Sequence, residues 1–451
     1  MTIGDIYTVN ITDISSTGEG IGRVDGFILF APGLLTGETA KVQVTKTGKS
    51  FGTAKVIEKI TLSDKRISPP CPYYENCGGC NIMHLDYEEG LKYKSAAIVQ
   101  NLKRIGKVQS IEKVDIISAG PIFRYRNNMT LPVGYSKKGP YIGLFSKKSN
   151  DVVPIKDCLL ADVHLSKVID IAEKFLKENG TSVYNPKTGK GVIRHIAYRA
   201  STQTGEKMLT CVINANYLIN SGVLSSKLSK IGGMKSININ KNKKPDGPTL
   251  GNTTKNIYGQ EYITDFIGKY QFRITPETFF QVNPYITKLM YEKLLEFADI
   301  QKNDTVLDAY CGVGAISIFI SEYAEKVIGV EISDKSIKNA IENAALNRVL
   351  NTEFIQGDAA EVIPDLLSRG THPNVIIVDP PRKGLNANMI NAITSAKIKK
   401  VVYISCDSAT LSRDIKQFAE AGYAVKAITA FDMFCWTTHV ETVVLLQRRD
   451  T

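Results

Sequence analysis

Along the first 60 residues apolar and polar positions alternate with the two-residue period of half-buried strands, and glycines interrupt the runs. The pattern predicts strands over Ile6 to Ile14, Gly18 to Arg23, Phe27 to Phe30, Thr39 to Val44 and Thr53 to Ile60, with a turn at Gly33 to Gly37. Five short strands with glycine corners suggest a small closed barrel. Ser68-Pro69-Pro70-Cys71-Pro72 is a cluster of breakers and marks a junction. A helix follows from about Asp86 to Ile105, with Leu91, Ala97, Ile98, Leu102 and Ile105 near one face. From Val114 to Tyr270 the pattern is mixed, with β-type runs at Val192 to Tyr198 and Met208 to Ile213, and Lys241 to Pro245 reads as an exposed loop. Beyond Pro284 strands and helices alternate. Strands fit at Thr305 to Leu307, Lys326 to Val330, Thr352 to Ile355, Val375 to Val378, Lys400 to Ile404 and Thr442 to Leu446. That rhythm is a doubly wound α/β sheet, whose ligands bind beyond the carboxyl ends of the strands.

A chain of 451 residues accommodates several domains, and the pattern divides it into 1–60, 61–268 and 269–451. With 43% hydrophobic and 22% charged residues, the composition is that of a globular protein and excludes a disordered or fibrous class. No apolar stretch approaches the roughly 18 residues that span a bilayer, and Met1 to Asn10 lacks the segments of a signal peptide. The expectation is a cytoplasmic protein with no membrane partner, and a monomer by default. Charge changes the picture more: 56 Lys and Arg against 45 Asp and Glu leave a net +11, which draws the chain toward a polyanion such as nucleic acid. Lys41, Lys46, Lys49 and Lys55 give the barrel a basic character, and its glycine pattern and strand rhythm resemble the TRAM domain, an OB-like RNA-binding module.

The chemistry concentrates at the tips of the later strands. Asp308-Ala309-Tyr310-Cys311-Gly312-Val313-Gly314 follows one strand and opens a helix, and its glycines let a ligand approach the backbone. Glu331 ends the next strand, where a carboxylate accepts hydrogen bonds from both hydroxyls of a ribose, and Asp358 ends a third, within reach of an adenine. Three such sites on successive strands resemble the class I S-adenosylmethionine-dependent methyltransferases. Asp379-Pro380-Pro381-Arg382-Lys383-Gly384 ends a fourth strand, with prolines fixing the backbone around an acidic side chain. Cys406 stands at the tip of a fifth. A thiolate there adding to carbon 6 of uracil turns the poorly nucleophilic carbon 5 into an enolate that attacks a methyl sulfonium. The carbon 5 proton must then leave to a general base, for which Glu441 is the candidate, with His439 as a structural hydrogen-bonder.

Together, Asp-Pro-Pro-Arg-x-Gly, Tyr-x-Ser-Cys, Asp-x-Phe and His-Val-Glu resemble the bacterial 23S rRNA (uracil-5-)-methyltransferases, in a likeness that spans most of the chain. That resemblance implies Cys406 as nucleophile and Glu441 as proton acceptor. It implies Gln281, Tyr310, Glu331 and Asp379 as positions for the methyl donor S-adenosyl-L-methionine, and Phe279 as a platform for the flipped base. Two positions depart from the family pattern. Asp407 stands where asparagine follows the nucleophile, and Cys435-Trp436 where the family has proline and then His, Gln or Tyr.

Cys71, Cys77 and Cys80 lie close together, with Cys158 far beyond. Four thiolates in this grouping can hold zinc or an iron-sulfur cluster; zinc prefers two close pairs, whereas three clustered cysteines and one distant fit a [4Fe-4S] cluster better. By resemblance the ribosomal members have these four cysteines and the transfer RNA members lack both them and the barrel. Cys211, Cys311 and Cys435 read as structural. The expected architecture is therefore α/β: a class I Rossmann-like methyltransferase domain, an N-terminal OB-like β-barrel (TRAM) and a central mixed α+β iron-sulfur domain. The expected partner is 23S ribosomal RNA at a single-stranded or loop uridine, with a transfer RNA T-loop uracil methyltransferase and a non-catalytic iron-sulfur RNA-binding protein as the alternatives.

Overall fold

The computed structural model describes residues 1–147 and 149–449. The expected barrel forms: Ile6–Ile14, Glu19–Val24, Phe27–Pro32, Thr39–Thr47 and Phe51–Thr61 close into one ring in which the fifth strand sits between the third and fourth. Alternate side chains point inward, so Val9, Ile11, Leu29, Val42 and Val44 fill the interior. A Cβ at Gly22 would lie 2.1 Å from Val9 Cγ1, so this close crossing requires glycine. Arg66, just outside the barrel, ties it to the rest of the chain: its Nε and Nη2 donate to Glu38 at 2.5 and 2.7 Å.

The middle of the chain builds a seven-stranded sheet in the spatial order Thr253–Gly259, Met234–Lys241, Lys207–Ile213, Ile193–Ala200, Asn128–Ser136, Gly139–Phe145, Val152–Pro154. Its core includes Leu131, Ile196 and Leu209 with Val168 and Phe175 of the helix Leu165–Glu178.

The C-terminal part bears out the α/β expectation, with a difference in the sheet. Thr352–Gln356, Lys326–Glu331, Thr305–Ala309, Val375–Val378 and Lys400–Ser405 run parallel in that spatial order. Glu441–Arg448 is then antiparallel to Lys400–Ser405 and to Tyr423–Phe431, a strand the sequence pattern does not reveal. The sheet is mixed rather than purely doubly wound. Ile116–Ile117, more than 300 residues away in sequence, adds the eighth strand beside Tyr423–Phe431.

The helix Tyr87–Arg104 starts where expected because Asp86 accepts the N–H groups of Glu88 and Glu89. Its inner face is in part the one periodicity suggests, with Ile98 and Leu102 on it as expected. Ile105 is exposed, while Gly90, Lys94, Ile98 and Leu102 are buried. Lys94 can be buried because its ammonium pairs with Asp432 and also donates to the Phe434 carbonyl at 3.1 Å. Among the described residues no helix is long and apolar enough to cross a membrane.

The Lys94–Asp432 pair generates a stability prediction. Lys94→Ala leaves a buried carboxylate without its counter-charge and should lower the unfolding free energy by about 3–5 kcal/mol, read from the urea midpoint. Adding Asp432→Asn in that background should recover part of the loss; additive losses would mean the two groups do not act as a pair.

Candidate active site

Strand tips build the site. Strand order reverses between Thr305–Ala309 and Val375–Val378, the position where such sheets open a ligand crevice. Asp308, fully buried there, accepts the Ser317 hydroxyl on one oxygen and has no partner on the other. Burial pushes its carboxyl up to about 7. The chain then turns sharply into the helix Ala315–Ile320 through three left-handed residues, Tyr310, Gly312 and Gly314. Glu331 braces this turn: Oε2 accepts the Gly312 N–H at 3.2 Å and Oε1 the Ser333 N–H at 2.8 Å. A Cβ placed on Gly312 would meet nothing within 4 Å, so the space above the turn is open. Asp358 caps the helix Ala359–Ser368 through the Ala360 N–H, and the Tyr310 hydroxyl is raised by burial first and then by the Asp358 charge. The three expected donor-binding tips therefore stand side by side.

Cys406 and Glu441 are brought together by strand register. Ser405 pairs with Thr442 across the antiparallel ladder, so the next step places Cys406 opposite Glu441. Burial pushes the Cys406 thiol up to about 11, with Glu441 and Asp379 adding to the rise. Arg382 opposes them by its charge and by a hydrogen bond to the thiol. Burial, and then the charge of Asp379, raise the Glu441 carboxyl, and Arg382 again acts against the shift. Glu441 is 6% exposed and its Oε2 has no hydrogen-bond partner. Burial without a hydrogen-bond partner disfavours the ionised form of this oxygen, so that once ionised it is a strong proton acceptor. Asp407 caps the helix Ser408–Glu420 through the Ala409 and Thr410 N–H groups. Asparagine caps equally well, so this departure from the family pattern leaves the local fold unchanged. His439 packs its ring edge-on against Phe434.

Two residues escape the sequence reading. Arg382 lies in the Asp-Pro-Pro-Arg segment, yet its role appears only once Cys406 is folded beside it. Tyr291, fully buried on the helix Pro284–Ala298, feels the charges of Asp379, Asp308 and Glu441 together; its sequence context gives no signal.

Phe279 and Gln281 sit on the loop between Tyr270–Ile274 and Pro284–Ala298. The central sheet holds that loop: Asn127 donates from Nδ2 to the Gln281 carbonyl at 2.9 Å, and Arg199 donates to the Thr278 carbonyl at 2.5 Å. Phe279 is 62% exposed, as a stacking platform must be, whereas Gln281 is buried. Both amide atoms of buried Asn283 lack partners. Together with the free oxygen of Asp308 and the open turn at Gly312, these orphaned polar atoms fit a polar ligand such as S-adenosylmethionine.

Cys71, Cys77, Cys80 and Cys158 form no disulfides and line one largely apolar cavity with Tyr74, Met83 and Leu160. Burial raises the thiols of Cys77, Cys80 and Cys158, and nearby cysteines add to each rise. Among the described residues no three His, Cys, Asp or Glu side chains converge as a single metal ion requires.

The sequence pattern of the tRNA (uracil-5-)-methyltransferase family matches residues 250–449, and that of the TRAM domain residues 1–57. The chain is 39% identical to an uncharacterized RNA methyltransferase of Clostridium acetobutylicum, over 98% of this chain and 97% of that protein. It is 37% identical to another from Clostridium tetani, over 98% and 96%. Its fold is similar to the crystal structure of Pyrococcus abyssi tRNA (uracil-54, C5)-methyltransferase in complex with S-adenosyl-L-homocysteine. The TM-score is 0.79 at 25% identity, covering 97% of this chain and 99% of that one. Coverage on that scale takes in the barrel, so the barrel does not by itself separate ribosomal from transfer RNA enzymes.

The electrostatics of Cys406 set a test with a definite sign. Its alkylation by iodoacetamide, mapped by peptide mass spectrometry, should quicken about tenfold per pH unit from 7 to 10, because only the thiolate reacts. Arg382→Ala should slow it at pH 8 and Glu441→Gln should speed it. Equal rates in all three proteins would remove both neighbours from the account.

Proposed function

The chain belongs to the TRAM-bearing, S-adenosylmethionine-dependent RNA uracil-5-methyltransferases, and we propose that within this family it methylates carbon 5 of a uridine in 23S ribosomal RNA. The observation that carries the chemistry is the register that sets Cys406 opposite Glu441 beside Asp379 and Arg382. S-adenosylmethionine supplies the electrophilic methyl group. Gln281, Tyr310, Gly312, Glu331, Asp358 and Asp379 are assigned to hold it, and Phe279 to stack on the flipped base. The Cys406 thiolate, favoured by Arg382, adds at carbon 6. The C6–S bond forms, the ring electrons move to carbon 5, and carbon 5 would take the methyl group as the donor's S–CH3 bond breaks and its electron pair stays on sulfur, leaving a neutral thioether. Glu441 then accepts the carbon 5 proton, the C5–C6 double bond re-forms, and the thiolate leaves. A buried carboxyl with a raised pKa is a better base than one in water, which suits this step.

Residues 1–60 are assigned to RNA binding, with Lys41, Lys46, Lys49 and Lys55 all exposed. We assign residues 61–268 to a central unit and 269–451 to the catalytic one, with Ile116–Ile117 of the former completing the sheet of the latter, in a cytoplasmic monomer. We further assign a [4Fe-4S] cluster to Cys71, Cys77, Cys80 and Cys158. What supports this reading is that the four thiols, one of them from far along the chain, line a single cavity. The second substrate reading, a transfer RNA uridine, is favoured by the likeness to the Pyrococcus abyssi enzyme.

Purified protein with labelled S-adenosylmethionine should place label in 5-methyluridine of unmodified 23S RNA. Label confined to transfer RNA would select the second reading. Cys406→Ala should lose at least a thousandfold in rate yet still bind RNA, and Glu441→Gln should accumulate an RNA–protein adduct on denaturing gels; full activity in either would overturn the assigned role. Anaerobically purified protein should carry iron and sulfide in equal amounts and lose both on Cys80→Ser, whereas zinc or no metal would overturn the cluster.

A further inference from the structure

Glu441 hangs from the segment 432–440 that joins Tyr423–Phe431 to Glu441–Arg448. Within it Trp436, the sole tryptophan, has φ +67°, a conformation that a bulky side chain keeps only where its surroundings over-determine it. The indole is 5% exposed, stacks on Phe123 at 5.3 Å and donates from Nε1 to the Ile122 carbonyl at 3.0 Å. Its carbonyl accepts two N–H groups, from Asn81 and Ile82, each at 3.2 Å. Asn81 follows Cys80 directly and spends its whole amide on this junction. Oδ1 accepts the Thr438 N–H at 2.9 Å, and Nδ2 donates to Thr438 Oγ1 at 3.0 Å and to the Thr17 carbonyl at 3.1 Å. Thr438 in turn donates its hydroxyl to the Ser16 carbonyl at 2.6 Å. Gly18 comes so close that a Cβ there would lie 2.8 Å from the Asn81 carbonyl.

We propose that Asn81 is a positioning residue for the reaction: it fastens the base-bearing segment to the cysteine-rich turn and to a corner of the RNA-binding barrel, and so sets where the Glu441 carboxylate stands. Three parts of the chain far apart in sequence meet at this one amide, and Thr438, which it holds on both its N–H and its hydroxyl, is three residues before Glu441. Loss of the amide frees the segment between the Trp436 carbonyl and the strand start. The step that suffers is proton removal, after Cys406 has already added. The inference rests on Glu441 being the proton acceptor.

The test uses the full chain, with Asn81→Ala, Asn81→Asp and Glu441→Gln beside the parent. Asn81→Ala should lower kcat roughly tenfold to a hundredfold, as a displaced catalytic group does, leave KM within about twofold, and raise the SDS-stable RNA–protein adduct toward the level of Glu441→Gln. The emission of Trp436, whose contacts do not use the Asn81 side chain, should stay unshifted and so report that the fold is intact. Asn81→Asp keeps the acceptor for the Thr438 N–H but loses both donors, and should fall between; it also serves if the alanine variant does not fold. Unchanged kcat, or a loss of kcat without adduct, overturns the proposal. If Glu441→Gln itself turns over normally, the base reading fails and takes the proposal with it. If Glu441→Gln traps adduct while both Asn81 variants do not, only the latch fails.

Discussion

A strand that runs antiparallel in an otherwise parallel sheet delivers its first residue, not its last, to the edge where ligands bind. Glu441–Arg448 is such a strand, and its insertion beside Lys400–Ser405 is the constraint from which the site follows. A parallel strand at that place would carry Glu441 to the opposite edge, about 15–20 Å away over six residues. Because the ladder pairs Ser405 with Thr442, cysteine and glutamate face each other at the strand ends without either needing a long loop. Asp379 and Arg382 reach the same point from the neighbouring parallel strand, and their opposite charges bear on both groups.

The antiparallel insertion has a structural cost that the rest of the molecule offsets. Its entry, 432–440, leaves the sheet at Phe431 and returns at the paired Glu441, through a segment that is not itself part of any strand. Buried charge holds one end, through Lys94 and Asp432, with the Tyr87 hydroxyl donating to the second carboxylate oxygen at 2.5 Å. Apolar packing holds the middle, where Cys435 and Trp436 join Tyr74, Met83, Tyr125 and Leu160 in one cluster that also contains Cys71, Cys80 and Cys158. The cysteine turn and the base-bearing segment thus share a core. Whatever fills the cysteine cavity bears directly on the packing beneath Glu441.

What the sequence discloses and what it withholds divide along the same line. The barrel, the parallel strands and the residues at their tips are legible, because each depends on local periodicity and on side chains that chemistry requires beside a turn. Cys406 and Glu441 are legible for that reason. Lys94 is not, since a lysine on a helix face reads as solvated until a partner 338 residues away arrives to neutralise it. Tyr423–Phe431 lacks a clean alternation because it is covered unevenly, and its neighbour Ile116–Ile117 is too short to leave a signal. Arg382, Tyr291 and Asn81 are ordinary residues whose meaning is wholly tertiary.

The acidic row at the strand tips has a consequence for the order of events. Asp308, Asp379 and Glu441 are each raised by burial, and the last two oppose each other's ionisation, so the empty site favours their protonated forms. Burial, more than these neighbours, keeps Cys406 a thiol while no substrate is present. A cationic ligand entering beside Asp379 reverses the balance: it stabilises the carboxylates and, by adding positive charge near the sulfur, lowers the cost of the thiolate. A sulfonium is such a ligand and its demethylated product is not. On the proposed chemistry, the site is therefore armed by the methyl donor and relaxes once the methyl group has gone, with Glu441 left as the group best able to take a proton.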